Sequence, residues 1–518
     1  MVGSFGQRID RQAGTQQPRA GASTARRGES RLVIVAPDPG AAAMLLDGAG
    51  GTGVITVICL DGGGETQRSA FARAVSDAAG QGREVSGDPV ILGPASDVRH
   101  AVLEALRAAG PTRLITTGPD EHGDDEGAVR RREATALAAI SAAEEYQRET
   151  GLPLLVDCRT LDVTAEGVPV ARPRYGVPGN WLVRGNDGLL SAYLPTAGAV
   201  LRWTETASGS WSGPERLDAP GLLPGLTVAQ GPDGYVRLIG LRRAERDDGT
   251  VAVSVVCATQ YQTKRPIGPW QALGNPHRAE PHRGRFVGLP VAAFDDDGTL
   301  HVFLRNDEHT VNTRHQKKDG SWSSWSHLKG VRTADEMVAM RVPGGTVEIF
   351  ARLRDVPGSA RWSRSGPKGE WAVDRTLPVY AYPGSLAAAP ESGALRFRYA
   401  ETGELCLWPL GASGPVTLGT VDAGSRTAGV AGVGIGGWPC TVLVAQDAYG
   451  RCLVGCHVDG RQDTGVWWSV TDQSCLVPPA VAPDRDGRVT IATLGPDGRF
   501  TATRRTAATD SLDLGPWQ

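Results

Sequence analysis

No stretch of this 518-residue sequence approaches the run of about 20 apolar residues that a membrane-spanning helix requires. The N-terminus carries arginines with no apolar core behind them, so no secretory signal is predicted and a cytoplasmic location is expected. An excess of either charge is also missing: 54 Lys and Arg face 57 Asp and Glu, a formal net charge of −3. That balance gives no basic footprint for nucleic acid and no polybasic surface for anionic lipid, and neither is expected as a partner. Cysteine is scarce. Cys59, Cys158, Cys257, Cys406, Cys440, Cys452, Cys456 and Cys475 stand mostly in apolar strand-like runs, where a thiol acts as a small hydrophobe and a reducing compartment is the simpler reading. Cys452, Cys456 and His457 resemble a metal cluster, but strand positions four apart lie roughly 13 Å from each other and cannot share one ion. Residues 1–30 have almost nothing to bury and are expected to form a disordered tail.

What the sequence has in quantity is turn formers. Gly 68 and Pro 35 speak for many tight turns and few long helices. The length exceeds one ordinary core, and the texture divides it in two. Residues 31–172 alternate continuous apolar strands (RLVIVA, GVITVIC, TRLITT, LPLLVDC) with helical stretches such as QRSAFARAVSDAAGQ, DVRHAVLEALRAAG and AVRRREATALAAISAAEEYQRE. This alternation predicts an α/β domain with a Rossmann-like parallel sheet, its functional loops at the carboxyl ends of the strands. Two unusual loops, APDPG and PDEHGDDEG, fall at such ends. The LDGGGE loop matches neither GxGxxG nor GxxxxGK[ST] and predicts no nucleotide site.

In order and spacing the two loops resemble the AHPDDE and HPDH motifs of the PIG-L/LmbE deacetylase family. That resemblance implies a zinc ion held by three ligands and an aspartate general base that takes a proton from bound water. Carried over residue by residue, the three ligand positions are Ala36, Pro39 and Asp125, while Asp38 keeps the place of the base. His122 matches the first histidine of HPDH and Asp124 its central aspartate. Alanine and proline side chains have no donor atom, so family-type zinc is not expected and no cofactor is predicted. A shifted site for Mg²⁺ or Mn²⁺ built from Asp38, Glu121, His122, Asp124 and Asp125 is the alternative, against the plainer reading of an acidic helix N-terminus. By the same resemblance Asp61, Glu65 and Arg68 would border a residual sugar-sized cleft.

Residues 175–518 read as short alternating strands with a turn signal that recurs seven times, at Gly188, Gly234, Gly298, Gly345, Gly393, Gly450 and Gly487. A tryptophan landmark follows in most units: Trp211, Trp270, Trp322 with Trp325, Trp371, Trp467 with Trp468, and Trp517. Units of roughly 40 to 60 residues with about four strands each predict an all-β propeller of seven blades, with six as the alternative. The GxWsxW pattern resembles lectin-like and tectonin-like propellers. Most landmark tryptophans are expected to pack between blades. Trp181, Trp325 and Trp468 lie outside the single-Trp pattern and are the candidates for stacking on a sugar. No GxSxG elbow or HExxH helix occurs, and no catalytic role is assigned to the histidines of the second and third blades.

Two functions follow. In the first, a metal-free PIG-L-like unit docks beside a propeller that binds a glycan, a glycosylated metabolite or a protein. In the second, a divergent enzyme of specialised metabolism uses Asp38 as general base and His122 as acid or oxyanion donor in amide or acetyl hydrolysis.

Overall fold

The computed structural model describes residues 30–518 except 48, 50–52, 86–88, 93–96, 121–124, 164–168, 176–178, 264, 367–368, 392, 422–425 and 507–509. The expected tail lies outside the described residues apart from Ser30, which begins the first strand.

The first domain contains, in order, β1 (Ser30–Ala36), α1 (Pro39–Asp47), β2 (Gly53–Cys59), α2 (Glu65–Gly80), β3 (Glu84–Val85), β4 (Val90–Ile91), α3 (Val98–Ala109), β5 (Arg113–Thr117), α4 (Glu126–Thr150), β6 (Leu155–Val163) and β7 (Pro169–Pro173). The strands lie in the order β3-β2-β1-β5-β6-β7, with β4 also beside β2. β1 is central and apolar on both faces: Ile34 stands opposite Val57 on one side and Ile115 on the other, and is fully buried. Helix ends follow local chemistry. Asp97 caps α3 by accepting from the His100 N–H at 3.2 Å, and Gly110, in the left-handed region, ends it. Asp125 and Gly151 do the same for α4.

The parallel sheet expected from the strand–helix alternation is mixed. β1, β2, β5 and β6 are mutually parallel, but β7 pairs antiparallel with β6. The few residues between β6 and β7 cannot form the crossover that parallel pairing needs. The domain therefore ends in a hairpin.

The second domain is a seven-bladed β-propeller. Its blades span 182–218, 227–274, 291–328, 333–374, 387–419, 428–474 and 480–518, each an antiparallel meander whose first strand is innermost. Blade 7 has three regular strands, and the chain's end supplies the fourth. Gln518 and Ala502 exchange N–H···O bonds of 2.9 Å, and the Gly515 N–H donates to Arg504 O at 2.8 Å. The seven landmark glycines all have φ between 73° and 83°, which L side chains rarely adopt, so the residue type is dictated by the turn. Six of these turns join the first and second strands of their blades, but Gly450 joins the second and third strands of blade 6, Trp438–Gln446 and Arg451–Val458. The first hairpin of blade 6 turns on Gly436 and Gly437 instead.

The tryptophan landmarks mark the outermost strand. Trp211, Trp371 and Trp467 open the fourth strands of blades 1, 4 and 6, and Trp270 directly precedes that of blade 2. Some also reach across: Trp211 packs on Phe500 of blade 7 and Trp371 meets Phe303 of blade 3 edge-on. The fully buried rings Trp362 and Trp408, with Trp203 nearly so, lie on third strands.

The ring closes between blades 7 and 1 through side chains. Asn180 Nδ2 donates to Val481 O at 3.0 Å, its Oδ1 accepts from the Val481 N–H at 3.3 Å, and Trp181 Nε1 donates to Pro478 O at 3.0 Å. Val481 is fully buried, so Asn180→Ala leaves two peptide groups without partners. Urea denaturation should show a loss of about 1–3 kcal/mol; an unchanged midpoint would mean that water replaces the amide.

Candidate functional site

In each blade the turn between the second and third strands lies on one face of the propeller, and the α/β domain sits on that face. Thr196 of blade 1 reaches Leu154 O at 2.6 Å, and Thr112 Oγ1 donates to Pro496 O of blade 7 at 3.0 Å. The strongest link is ionic. Asp120 and Glu133 of the α/β domain meet Arg243 and Arg285 of the propeller, with Arg285 Nε donating to Asp120 Oδ1 at 2.7 Å and Arg243 Nη2 to Glu133 Oε1 at 3.0 Å. Asp120 is 2% exposed and has φ +56. Burial raises its pKa against the opposing pull of Arg243 and Arg285.

Between the domains, and running into the propeller's central channel, lies a cavity of about 1990 Å³. Its walls are β6, β7, the Arg174–Tyr175 segment and side chains of β1, α1, β5 and the residues just after α2 on one side, and inner strands and turns of all seven blades on the other. Eleven arginines but seven carboxylates line it among the described residues. The excess is positive although the whole chain is slightly acidic, so the charge is placed rather than statistical.

Two groups of side chains carry this charge. In the first, Asp335 of blade 4 receives Arg174 Nη1 at 2.6 Å and also contacts Arg305. Burial opposes ionisation of Asp335, but the two guanidiniums outweigh it and bring its pKa to about 2. Beside them His309, with φ +64, is neutral. Burial first, then Arg305 and Arg354, bring its pKa to about 3, and its Nδ1 accepts from Arg354 Nη1 at 2.7 Å. In the second group, Arg396 and Arg398 project from one face of the second strand of blade 5, Ala394–Arg398. The blade's first strand is only Ala387–Ala388, flanked by further alanine, so the arginines reach the channel past side chains of one methyl group. Arg396 is 2% exposed, its Nε and Nη1 have no hydrogen-bond partner, and burial lowers its pKa to about 10. The Arg398 guanidinium lies 4.5 Å from the centroid of the Tyr382 ring, which is 45% exposed and lines the cavity. Tyr449, 57% exposed, lines it from blade 6. The result is a cationic wall interrupted by accessible aromatic rings.

No protein-family model matches the chain, and no curated protein matches it. Solved structures do. The BP39L lectin from Burkholderia pseudomallei is 14% identical, covers 67% of this chain and 98% of its own, and has a TM-score of 0.47. An Aleuria aurantia lectin mutant in complex with Fucα1-6GlcNAc is 13% identical over 57% of this chain and 96% of its own, TM-score 0.34. A PL25 ulvan lyase, a polysaccharide lyase, is 13% identical over 64% of this chain and 93% of its own, TM-score 0.41. The chain is similar to these proteins at that level, and the chemistry of its chamber rests on its own residues.

The residues singled out in the sequence fall elsewhere. Asp38 Oδ1 accepts the Ala41 N–H at 3.0 Å and so caps the first turn of α1. Asp61 accepts the Gly63 N–H at 2.7 Å, Arg68 Nη1 donates to Gly63 O at 2.8 Å, and exposed Glu65 opens α2, so this loop is stitched to itself. Asp125 caps α4 through the Ala128 N–H, which holds its carboxyl below the usual range. Glu121, His122 and Asp124 lie outside the described residues. Trp181 is 1% exposed, wedged against Phe500 with its N–H bonded, so it offers no stacking face. Trp325 and Trp468 are half-buried at the outer strands, away from the chamber wall. The rings that line the chamber are Tyr175, Tyr382, Tyr449 and Phe286. The Leu-Arg-Phe-Arg alternation of residues 395–398 carried a strand signal with charge on one face, and it was the one available pointer to this wall.

Proposed function

We propose that this protein is a binding protein whose propeller channel, closed at one end by the α/β domain, holds an acidic, polyhydroxylated ligand of the size of a short oligosaccharide. The observation that carries the reading is the arginine excess around the chamber, above all the buried and incompletely bonded Arg396. Guanidinium groups recognise carboxylates and sulfates through paired hydrogen bonds, and exposed tyrosine rings suit the apolar face of a pyranose. The volume exceeds the roughly 300–1,000 Å³ of ordinary small-molecule pockets, which favours more than one sugar unit. In this reading the Rossmann-like domain is a metal-free docking unit. The switch of strand order between β1 and β5 is that of doubly wound α/β sheets in general, and Asp120, from the PDEHGDDEG loop, is spent on gripping the propeller. Asp38, engaged as a helix cap, is not offered as a general base.

A glycan array containing uronate-bearing, sulfated and neutral oligosaccharides tests this. Retention of acidic members that weakens with salt is expected. Arg398→Gln should cost about 10–100-fold in affinity for them, the worth of one charge-assisted hydrogen bond. Binding confined to neutral glycans, or untouched by the substitution, would refute the proposal.

A further inference from the structure

On the face of the propeller away from the α/β domain, blade 5 meets blade 6 through a cluster that the chamber does not use. Glu391 stands in the turn between the first and second strands of blade 5, and Asp459 directly follows the third strand of blade 6, which ends with His457 and Val458. In an antiparallel meander these two turns share a face. Donor atoms of Glu391, His457 and Asp459 all lie within 4.8 Å of one another. Thr441, fully buried on the neighbouring strand of blade 6, joins them: its hydroxyl is 3.0 Å from Glu391 Oε1 and 2.7 Å from Asp459 Oδ1.

The proton count of this cluster does not close. One hydroxyl hydrogen cannot serve two carboxylates, so one of the Thr441 contacts is oxygen against oxygen unless one carboxyl carries a proton or a cation offsets the charge nearby. The Gly432 N–H donates to Asp459 Oδ2 at 3.1 Å, and His457 Nε2 lies 3.3 Å from Glu391 Oε1, where it donates only in the Nε2–H tautomer and, with the proton on Nδ1, presents a lone pair instead. Glu391 Oε2 remains, sealed from solvent and without a hydrogen-bond partner. Orphaned buried carboxylate oxygens are costly.

The orientation of the imidazole adds an independent indication. His457 is 1% exposed, its Nδ1 lies 3.4 Å from its neighbour's carbonyl, Val458 O, and its Nε2 faces the carboxylates. A ring whose far nitrogen is turned to a carbonyl, with the near one free to coordinate, is the usual arrangement of a metal-binding histidine. One imidazole nitrogen and two carboxylate oxygens suit zinc, whereas Mg²⁺ and Ca²⁺ favour all-oxygen sets. Bonds of about 2.0–2.2 Å at tetrahedral angles set donors roughly 3.4 Å apart, a spacing the 3.3 Å His457–Glu391 contact already meets. Glu391 and Asp459 are partly exposed and leave a way in and a place for water as fourth ligand.

We propose that Glu391, His457 and Asp459 bind a Zn²⁺ ion that staples blade 5 to blade 6, with Thr441 as the hydroxyl that orients the two carboxylates. None of the three ligands lines the chamber, although Arg396 on its wall lies close enough to act on the Glu391 charge. The site also differs from the Cys452, Cys456 and His457 grouping, whose members are spaced along a single strand. His457 finds its partners across strands and blades.

The test uses the full chain, stripped with EDTA, dialysed, and offered Zn²⁺ or Mn²⁺ alone, with bound metal read by elemental mass spectrometry and stability by thermal melting. Stoichiometric zinc that raises the melting temperature is expected. Glu391→Gln and Asp459→Asn, near-isosteric changes at partly exposed positions, should abolish both the uptake and the shift. His457→Gln should do the same if it folds, and the two carboxylate variants decide the matter if it does not. Thr441→Val should keep the stoichiometry but bind zinc about tenfold more weakly, the usual cost of losing an outer partner. No zinc uptake by the wild type, uptake of Mn²⁺ in preference to Zn²⁺, or zinc binding unchanged in both carboxylate variants would each overturn the proposal.

Discussion

Arg285→Ala is expected to lower the unfolding free energy by about 3 kcal/mol and to loosen the α/β domain from the propeller. The size follows from what is left behind. Asp120 is 2% exposed, its backbone is in a left-handed conformation that offers it no easy retreat, and one of its oxygens already lacks a hydrogen bond. Without Arg285, Arg243 Nε at 3.5 Å would be the one cation left among the described residues to balance that buried charge, and Glu133 would lose its second cation. Breaking one side of a buried pair costs more than removing both, because the survivor keeps its desolvation penalty without its partner. Adding Asp120→Asn to Arg285→Ala should therefore recover a substantial part of the loss. Urea denaturation of wild type, the two single variants and the double variant measures this coupling. Additive losses across the cycle would show that the contact is not a buried pair of this kind.

The second large effect is a fall in stability as pH drops from neutral. His301, in the second strand of blade 3, is 3% exposed, with Nε2 3.0 Å from Asp295 Oδ2 and 3.1 Å from Arg364 Nη2. Burial, aided by the Arg364 charge, brings its pKa down to about 4 despite the opposing pull of Asp295. The unfolded chain, with an ordinary histidine near 6.5, takes up the proton first. The contribution of neutral His301 is thus complete above about pH 6.5, declines as pH falls, and is exhausted near pH 4, a span of about 3 kcal/mol. His309, at about 3, pulls the same way. Asp335, with its pKa of about 2, does not enter this window. Its stabilising contribution is present above the unfolded value near 3.9 and disappears only as pH falls towards 2. Melting temperatures at pH 7.5 and 5.0 should differ clearly in the wild type and less in His301→Gln. His309→Asn, which tolerates the left-handed backbone, should reduce the difference further. Equal pH dependence in all three proteins would exclude these histidines as the source.

Some of the architecture was legible because it is encoded by neighbours in sequence. Each landmark glycine fixes a turn by its own φ, and seven such turns counted seven blades even though Gly450 turns a different hairpin from the other six. The Asp–Gly hairpin signal depends only on local backbone chemistry, so it cannot say which pair of strands it joins. The apolar strands of the first domain were equally plain, since both faces of Val33–Val35 are covered. β7 was not, because an antiparallel return is decided by what lies beside β6 and not by periodicity.

The candidate sites were legible in a different measure. Family-like spacing drew attention to Asp38 and Asp125, and helix capping, a local role, accounts for both. The chamber draws Arg174, Arg305 and Arg396 from segments far apart in the chain, and the cluster at Glu391, His457 and Asp459 is split between two blades. By itself, the sequence determined the repeat, its count and the positions of the seven landmark turns, because these need only local backbone geometry and a period of apolar residues. Tertiary structure alone decided where the charge is concentrated. A chain with nearly balanced charge acquires a cationic chamber only when the ring closes and the α/β domain covers it, and only burial turns an ordinary arginine or histidine into one whose partners matter.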